Sequence, residues 1–242
     1  MYFLMQFKKS FIGMGWLIIT PILGIFSWLI MNMAGVLKPG DVGIPYPVYV
    51  LLGTSIWGLF QGLFVNISQT LQIAQGFILQ VSFPHHVLMI KQALQQLATF
   101  IITFVINLIV MFSYGIIPSW KIFLFPVLIL PMFFIAASLG MLASVISVVV
   151  TGIQRITTFI FTFLMFVTPI IYSSKLDNPI IQKIINLNPL TYAIAGVRDI
   201  IIYGRMSSPG IFYLIAFMSF LFFLMTWRMF YVSEEKVIEK II

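Results

Sequence analysis

The chain has 242 residues, 61% of them hydrophobic and only 8% charged, with a formal net charge of +7 and no cysteine. A soluble domain carries roughly a quarter of its residues as charges, so this composition excludes one, and the missing thiols exclude a disulfide framework and thiolate metal sites. Single, scattered basic residues exclude nucleic acid as a partner and suit contact with the headgroups of membrane lipids.

Phe3, Phe7 and Phe11 recur at helical spacing, with Lys8 and Lys9 off that stripe, which predicts a short amphipathic helix lying in the membrane interface. The first apolar stretch is too long for the core of a signal peptide and no small-residue cleavage site follows it, so a permanent span is expected. Crossing the hydrocarbon takes roughly 20 apolar residues. By that rule the spans are Met14–Val36, Val48–Asn66, Leu97–Tyr114, Ile122–Ile146, Ile156–Tyr172 and Ile211–Tyr231. The apolar run from Ile122 to Ser174 is divided at Arg155, with Thr151-Gly152 supplying the turn. The expected fold class is all-α: a polytopic membrane protein with six transmembrane helices in one domain, 1–242. A β-barrel is excluded, because its polar lumen would dilute the hydrophobicity.

Charge orients the chain only weakly. With the N-terminus inside, Lys8, Lys9, Lys91, Arg155, Arg228, Lys236 and Lys240 are cytoplasmic, against Lys38, Lys121, Lys175, Lys183, Arg198 and Arg205 outside. Lys8 and Lys9 flank the first span directly and favour cytoplasmic N- and C-termini.

Two connections exceed a turn. Gln69–Gln96, on the cytoplasmic side, holds Phe77 and Phe83-Pro84-His85-His86. Ser173–Gly210, on the outer side, is semi-apolar and predicts short re-entrant helices between spans five and six, since open backbone at membrane depth leaves polar groups unpaired. Ile180, Ile181, Ile184 and Ile185 fall at helical spacing, as do Leu190, Ile194 and Val197, with Asn188-Pro189 breaking the two runs.

No span carries an ionisable residue near its middle, so proton relay and ion coupling are excluded. Polar residues instead form two stripes: Thr54, Gln61 and Ser68 in span two, and Gln96, Thr99, Thr103 and Asn107 in span three. Beside the first lie Trp57, Phe60 and Phe64, and span five carries Phe159, Phe163 and Phe166 on one face. The functional reading is an uncharged polar conduit with aromatic faces that stack on sugar rings. Ordinary helix packing and lipid contact explain any one of these residues equally well. Adjacent His85 and His86 point to different helix faces with no third ligand nearby, so no metal site is expected. Arg198-Asp199 reads as a gating pair or as solvated interfacial charge. The few carboxylates form no acid/base pair, and there is no phosphate-binding loop of the G-x-x-x-x-G-K-[ST] type. The chain is therefore not expected to be an enzyme.

Lys9-Ser10-Phe11-Ile12-Gly13-Met14-Gly15-Trp16 with Pro21 opens a series of short motifs spread over the whole length. Tyr46-Pro47-Val48-Tyr49-Val50-Leu51-Leu52-Gly53 with Trp57, then Phe83-Pro84, continue it. Thr168-Pro169-Ile170-Ile171-Tyr172-Ser173 and Asn188-Pro189-Leu190-Thr191-Tyr192, leading to Arg198-Asp199 and Gly204, complete it. In that order and spacing the chain resembles the permease subunit of type-2 ABC exporters of lipid-linked cell-surface polymers, the O-antigen and wall teichoic acid exporters. Two features depart from the family pattern: a short segment ahead of span one, and Gln154-Arg155 where members often show Arg-Asp.

The resemblance implies a homodimer bound to two copies of an ATP-binding subunit, which would hold ATP and Mg, with no cofactor in this chain. It implies that Gln75–His86 contacts the ATPase, with Phe77, Phe83, Pro84, His85 and His86 as coupling residues. It further implies an outer gate over Ile180–Gly204, with Asn188, Pro189, Tyr192, Arg198 and Asp199. The conduit would then run past Trp57, Phe60, Gln61, Phe64, Thr99, Thr103, Asn107, Phe159 and Phe163. The cargo is expected to be an undecaprenyl-linked polymer, with teichoic acid preferred over O-antigen on overall resemblance. Export of small hydrophobic drugs, an intramembrane lipid-modifying enzyme and a non-transporting scaffold are the alternatives.

Overall fold

Continuous apolar runs in lipid satisfy their backbone groups internally only as helices, and every regular element among the described residues is helical. The structure is a computed structural model, and it describes residues 15–36, 40–73, 86–147, 150 and 152–241. The interfacial helix expected at Phe3–Phe11 and the coupling residues Phe77, Phe83, Pro84 and His85 lie outside the described residues.

In chain order the helices are α1 (Trp16–Met33), α2 (Tyr46–Ser68) and α3 (His86–Ser113). A 3-10 turn, Trp120–Leu124, leads through a helical turn at Phe125–Leu128 into α4 (Leu130–Ser147). Then come α5 (Ile153–Val167), α6 (Pro179–Leu187), α7 (Pro189–Tyr203) and α8 (Pro209–Ile241). Four stretches are long and apolar enough to cross a membrane: Tyr46–Ser68, His86–Ser113, Trp120–Ser147 and Pro209–Ser233. The shorter α1 and α5 occupy the places of the other two expected spans. At 15 residues, α5 is about 22 Å long.

Several expected boundaries move, α8 running to Ile241 past the expected Tyr231, and two of the shifts have a physical reason in the sequence. Span three begins at His86 rather than Leu97. The polar residues that suggested a connector stay helical because they bond across a helix pair: Asn66 Nδ2 donates to Gln96 Oε1 at 2.9 Å. The fifth helix ends at Val167 rather than Tyr172. Pro169 forces Thr168 into extended backbone, φ −96° and ψ 131°, as a residue before proline prefers. The turn between α4 and α5 falls at Gly152 as expected, with φ +91°, a conformation that glycine adopts freely.

α2 is the hub, packed against α1, α3, α4, α5 and α7. Its backbone comes close to α4 because a glycine faces it. A Cβ on Gly140 would stand 2.9 Å from Ile67 Cβ and 3.2 Å from the Phe64 carbonyl. The long α4–α8 seam is aromatic: Phe134 contacts Phe220 and Phe223, and Phe223 contacts Trp227. The outward faces of α3, α5 and α8 remain apolar and exposed, Ile101, Ile109, Phe159, Phe163, Phe217 and Met225 among them. A lipid bilayer solvates such faces.

Candidate functional site: a polar junction of α2, α5 and α7

The 168–172 segment is non-helical and follows a helix whose last carbonyls have no intrahelical partner. Three long side chains from other elements reach carbonyls of the 168–172 segment itself. Tyr46 Oη donates to the Ile171 oxygen at 3.0 Å, and Tyr49 Oη approaches the Tyr172 and Pro169 oxygens at 2.7 and 3.3 Å. Arg198 Nη2 donates to the Pro169 oxygen at 3.4 Å. The Arg198 guanidinium lies over the Tyr49 ring, 3.7 Å from its centroid, a cation–π contact that strengthens when water is excluded. One junction thus fastens α2, α5 and α7.

Arg198 is 5% exposed. Burial pushes its guanidinium below the ordinary range, while Tyr49 and then Asp199 work against that shift; an arginine remains protonated in such a setting. Its Nη1 is buried without a hydrogen-bond partner. Asp199 turns away and accepts from the Ser207 backbone N–H at 3.0 Å and from its hydroxyl at 2.5 Å. It closes the loop into α8 and does not form a gating pair with its neighbour.

A cavity of about 690 Å³ opens at this junction. Tyr49, Lys175, Tyr192, Arg198, Asp199 and Ser207 form part of its wall. The sequence reading marked Tyr192, Arg198 and Asp199 but missed Tyr49, Lys175 and Ser207. A tyrosine one turn into an apolar span was the available signal for Tyr49, since a buried phenol needs a partner. Asn188 and Pro189 serve as the corner between α6 and α7. Asn188 Oδ1 accepts the Leu190 N–H at 3.0 Å and its Nδ2 donates to Thr168 Oγ1 at 2.8 Å. Pro189 occupies the start of α7, where its missing N–H costs nothing. Leu190, Ile194 and Val197 are buried as one face of α7. In α6 only Ile185 is buried; Ile180, Ile181 and Ile184 are exposed.

The two polar stripes meet only at Thr54, the one residue of the α2 stripe that shares a cavity with the α3 stripe. Thr99 and Thr103 of α3 line a cavity of about 280 Å³ with Thr54, Ser55 and Gly58 of α2 and Thr20 of α1. Asn107 sits beside it, donating to Ser55 Oγ at 2.9 Å and to the Thr103 carbonyl at 2.8 Å, with Oδ1 buried and unpartnered. Gln61 is half-buried and lines neither cavity. The aromatic residues lie elsewhere: Trp57, Phe60 and Phe64 are buried in the core of the chain, where Phe161 stands edge-on to both phenylalanines. Phe159 and Phe163 point outward from α5. At the opposite end of the bundle, His86 opens α3 beside Trp227 and Tyr231 of α8.

Residues 2–202, which take in every element of both cavities except the loop after α7, match the family described as ABC-2 type transporter. The chain belongs to the ABC-2 type transporter family. Among the relatives it resembles is the O-antigen export system permease protein RfbA of Myxococcus xanthus, 22% identical over 204 residues. That likeness covers 83% of this chain and 77% of the relative. The protein of the same name from Klebsiella pneumoniae is 23% identical over 208 residues, covering 84% and 77%. The chain is thus an ABC-2 permease, a multi-pass membrane protein built from apolar helices.

Proposed function

We propose that this ABC-2 permease is the transmembrane subunit of an ATP-driven exporter that moves a lipid-linked polysaccharide across a prokaryotic cell membrane. The observation that carries the reading is the likeness to two O-antigen export permeases over more than four-fifths of the chain. The lack of ionisable residues near the middle of any span supports it, since the energy must then enter from outside the spans. Both named relatives are O-antigen permeases, which favours polysaccharide over the teichoic acid suggested by overall resemblance. Neither relative is named for drug export.

In this reading two copies of the chain pair and engage two ATP-binding subunits, which hold ATP and Mg. The segment 75–86 touches those subunits, and both termini are cytoplasmic. The uncharged niche around Thr54, Thr99 and Thr103 gives hydroxyl-bearing cargo hydrogen-bonding groups at depth without a charge to trap it. The outer gate is α6–α7: α7 is held to α2 through Arg198 and Tyr49, while α6 rests on it through Ile185 and turns at Asn188-Pro189.

Cells lacking the chain are expected to accumulate the lipid-linked polymer on the cytoplasmic face, with export restored by a plasmid-borne copy. Surface polymer unchanged by the deletion, combined with increased sensitivity to hydrophobic drugs, would assign the chain to drug export instead.

A further inference from the structure

We propose that the cavity at the junction of α2, α6 and α7 is a binding site for a phosphate ester, with Arg198 as its principal cation. The inference rests on reading the chain as a membrane permease and adds a ligand class to its gate end.

Four observations point the same way. Arg198 lines the cavity, its guanidinium plane fixed by the Tyr49 ring and by the Pro169 carbonyl, and Nη1 is buried with no partner. A buried cationic N–H without an acceptor is costly, and a phosphate oxygen is the acceptor that a guanidinium fork fits best. Lys175, exposed on the wall, places a second cation at the rim. Ser207 and Ser208, also in the wall, immediately precede Pro209, so the cavity meets the N-terminal end of the 33-residue α8, whose dipole favours an anion.

Two carboxylates share the wall, and both are engaged locally. Asp199 accepts from Ser207, and Asp41 Oδ1 accepts the Gly43 N–H at 2.9 Å. The charges of the wall therefore balance, and a buried cationic nitrogen, Arg198 Nη1, is left without a partner. Such a site takes one phosphate group at a fixed point rather than a polyanion. The apolar part of the wall is Ile185 of α6, Ile202 of α7 and Val42 and Ile44 of the loop before α2. That arrangement suits a phosphate attached to a hydrocarbon chain, whether a bilayer phospholipid or a polyprenyl carrier.

The test uses the full chain in detergent, with dioctanoyl phosphatidylglycerol, geranylgeranyl pyrophosphate and inorganic phosphate as probes in a thermophoresis titration. Saturable binding of at least one probe is expected, with dioctanoylglycerol, which lacks phosphate, failing to compete. Arg198→Gln should weaken binding by about tenfold or more. Ala195→Glu keeps the arginine but sets a carboxylate three residues before it on the same helix face, and should weaken binding comparably. This second variant stands if Arg198→Gln fails to fold. Tighter binding of phosphatidylglycerol assigns the site to a bilayer lipid, and tighter binding of the pyrophosphate assigns it to a polyprenyl carrier. Equal binding of inorganic phosphate reduces the site to a free-anion site with no role for a hydrocarbon chain. No saturable binding of any probe, or binding unaffected by Ala195→Glu, overturns the proposal. Because the titration needs no transport, a chain that binds but does not export would refute the exporter reading alone.

Discussion

Gly53→Val will prevent the chain from reaching its folded state in useful yield. A Cβ at Gly53 would stand 2.7 Å from the Ile170 carbonyl oxygen and 3.1 Å from Ile170 Cγ2. The backbone there has little freedom to withdraw: Tyr46 and Tyr49 hold the Pro169, Ile171 and Tyr172 carbonyls on either side, and Ile170 itself is fully buried. Overpacking a rigid contact costs about 1–3 kcal/mol for small additions, and valine adds two methyl groups beyond the first. We expect a loss near the top of that range, read as a collapse of the monodisperse peak in detergent gel filtration. Gly53→Ala should fall between valine and the native chain. By contrast, Gly58 has nothing within 4 Å of its ideal Cβ, so Gly58→Ala should leave the peak intact. Native-like yield from Gly53→Val would mean that α2 and the 168–172 segment do not touch.

Phe64→Ala will destabilise the chain by about 3–5 kcal/mol, the range for emptying a large aromatic from a packed core. Phe64 is 0% exposed and meets Phe161 edge-on at 4.5 Å between ring centroids. Phe163, 68% exposed on the same helix as Phe161, is the control, and Phe163→Ala should change stability by less than about 0.5 kcal/mol. Heating in detergent, followed by measuring the fraction still folded, separates the two variants. The comparison also distinguishes core from conduit. If Phe64 lines a path for cargo, its alanine variant will keep the native melting temperature and lose export.

How much of this was legible beforehand depended on which force wrote each feature into the chain. Apolar length locates Tyr46–Ser68 almost to the residue, because hydrocarbon thickness dictates it. The α6–α7 corner was legible too, since Asn188-Pro189 states a cap and a helix start in two residues. The start of α3 was not. Lys91, Gln92, Gln95 and Gln96 look like a connector by polarity, and only the partner helix, with Gly62 and Asn66 facing Gln96, makes them helical. The α3 stripe was legible as a period, but its partners on α2 were not: Asn107 and Gln96 bond Ser55 and Asn66, which lie outside the Thr54–Gln61–Ser68 stripe. Which way an aromatic faces carries no such signal. In α5, two residues, a little over half a turn, separate buried Phe161 from exposed Phe159 and Phe163 on either side, and that choice is made by the neighbour each ring meets. Arg198-Asp199 showed two adjacent charges, but whether they pair depends on Tyr49 and Ser207, distant in sequence from them or placed by a loop.

The central claim is that this permease moves cargo with energy supplied by a separate subunit. ATP hydrolysis by the purified chain, measured alone and after co-purification with a nucleotide-binding partner, tests it most directly. The account predicts no hydrolysis above background from the chain alone and sustained hydrolysis from the complex, abolished by a catalytic mutation in the partner. Hydrolysis by the chain alone that survives removal of contaminating ATPases would contradict it, as would cargo transport by the chain alone in proteoliposomes.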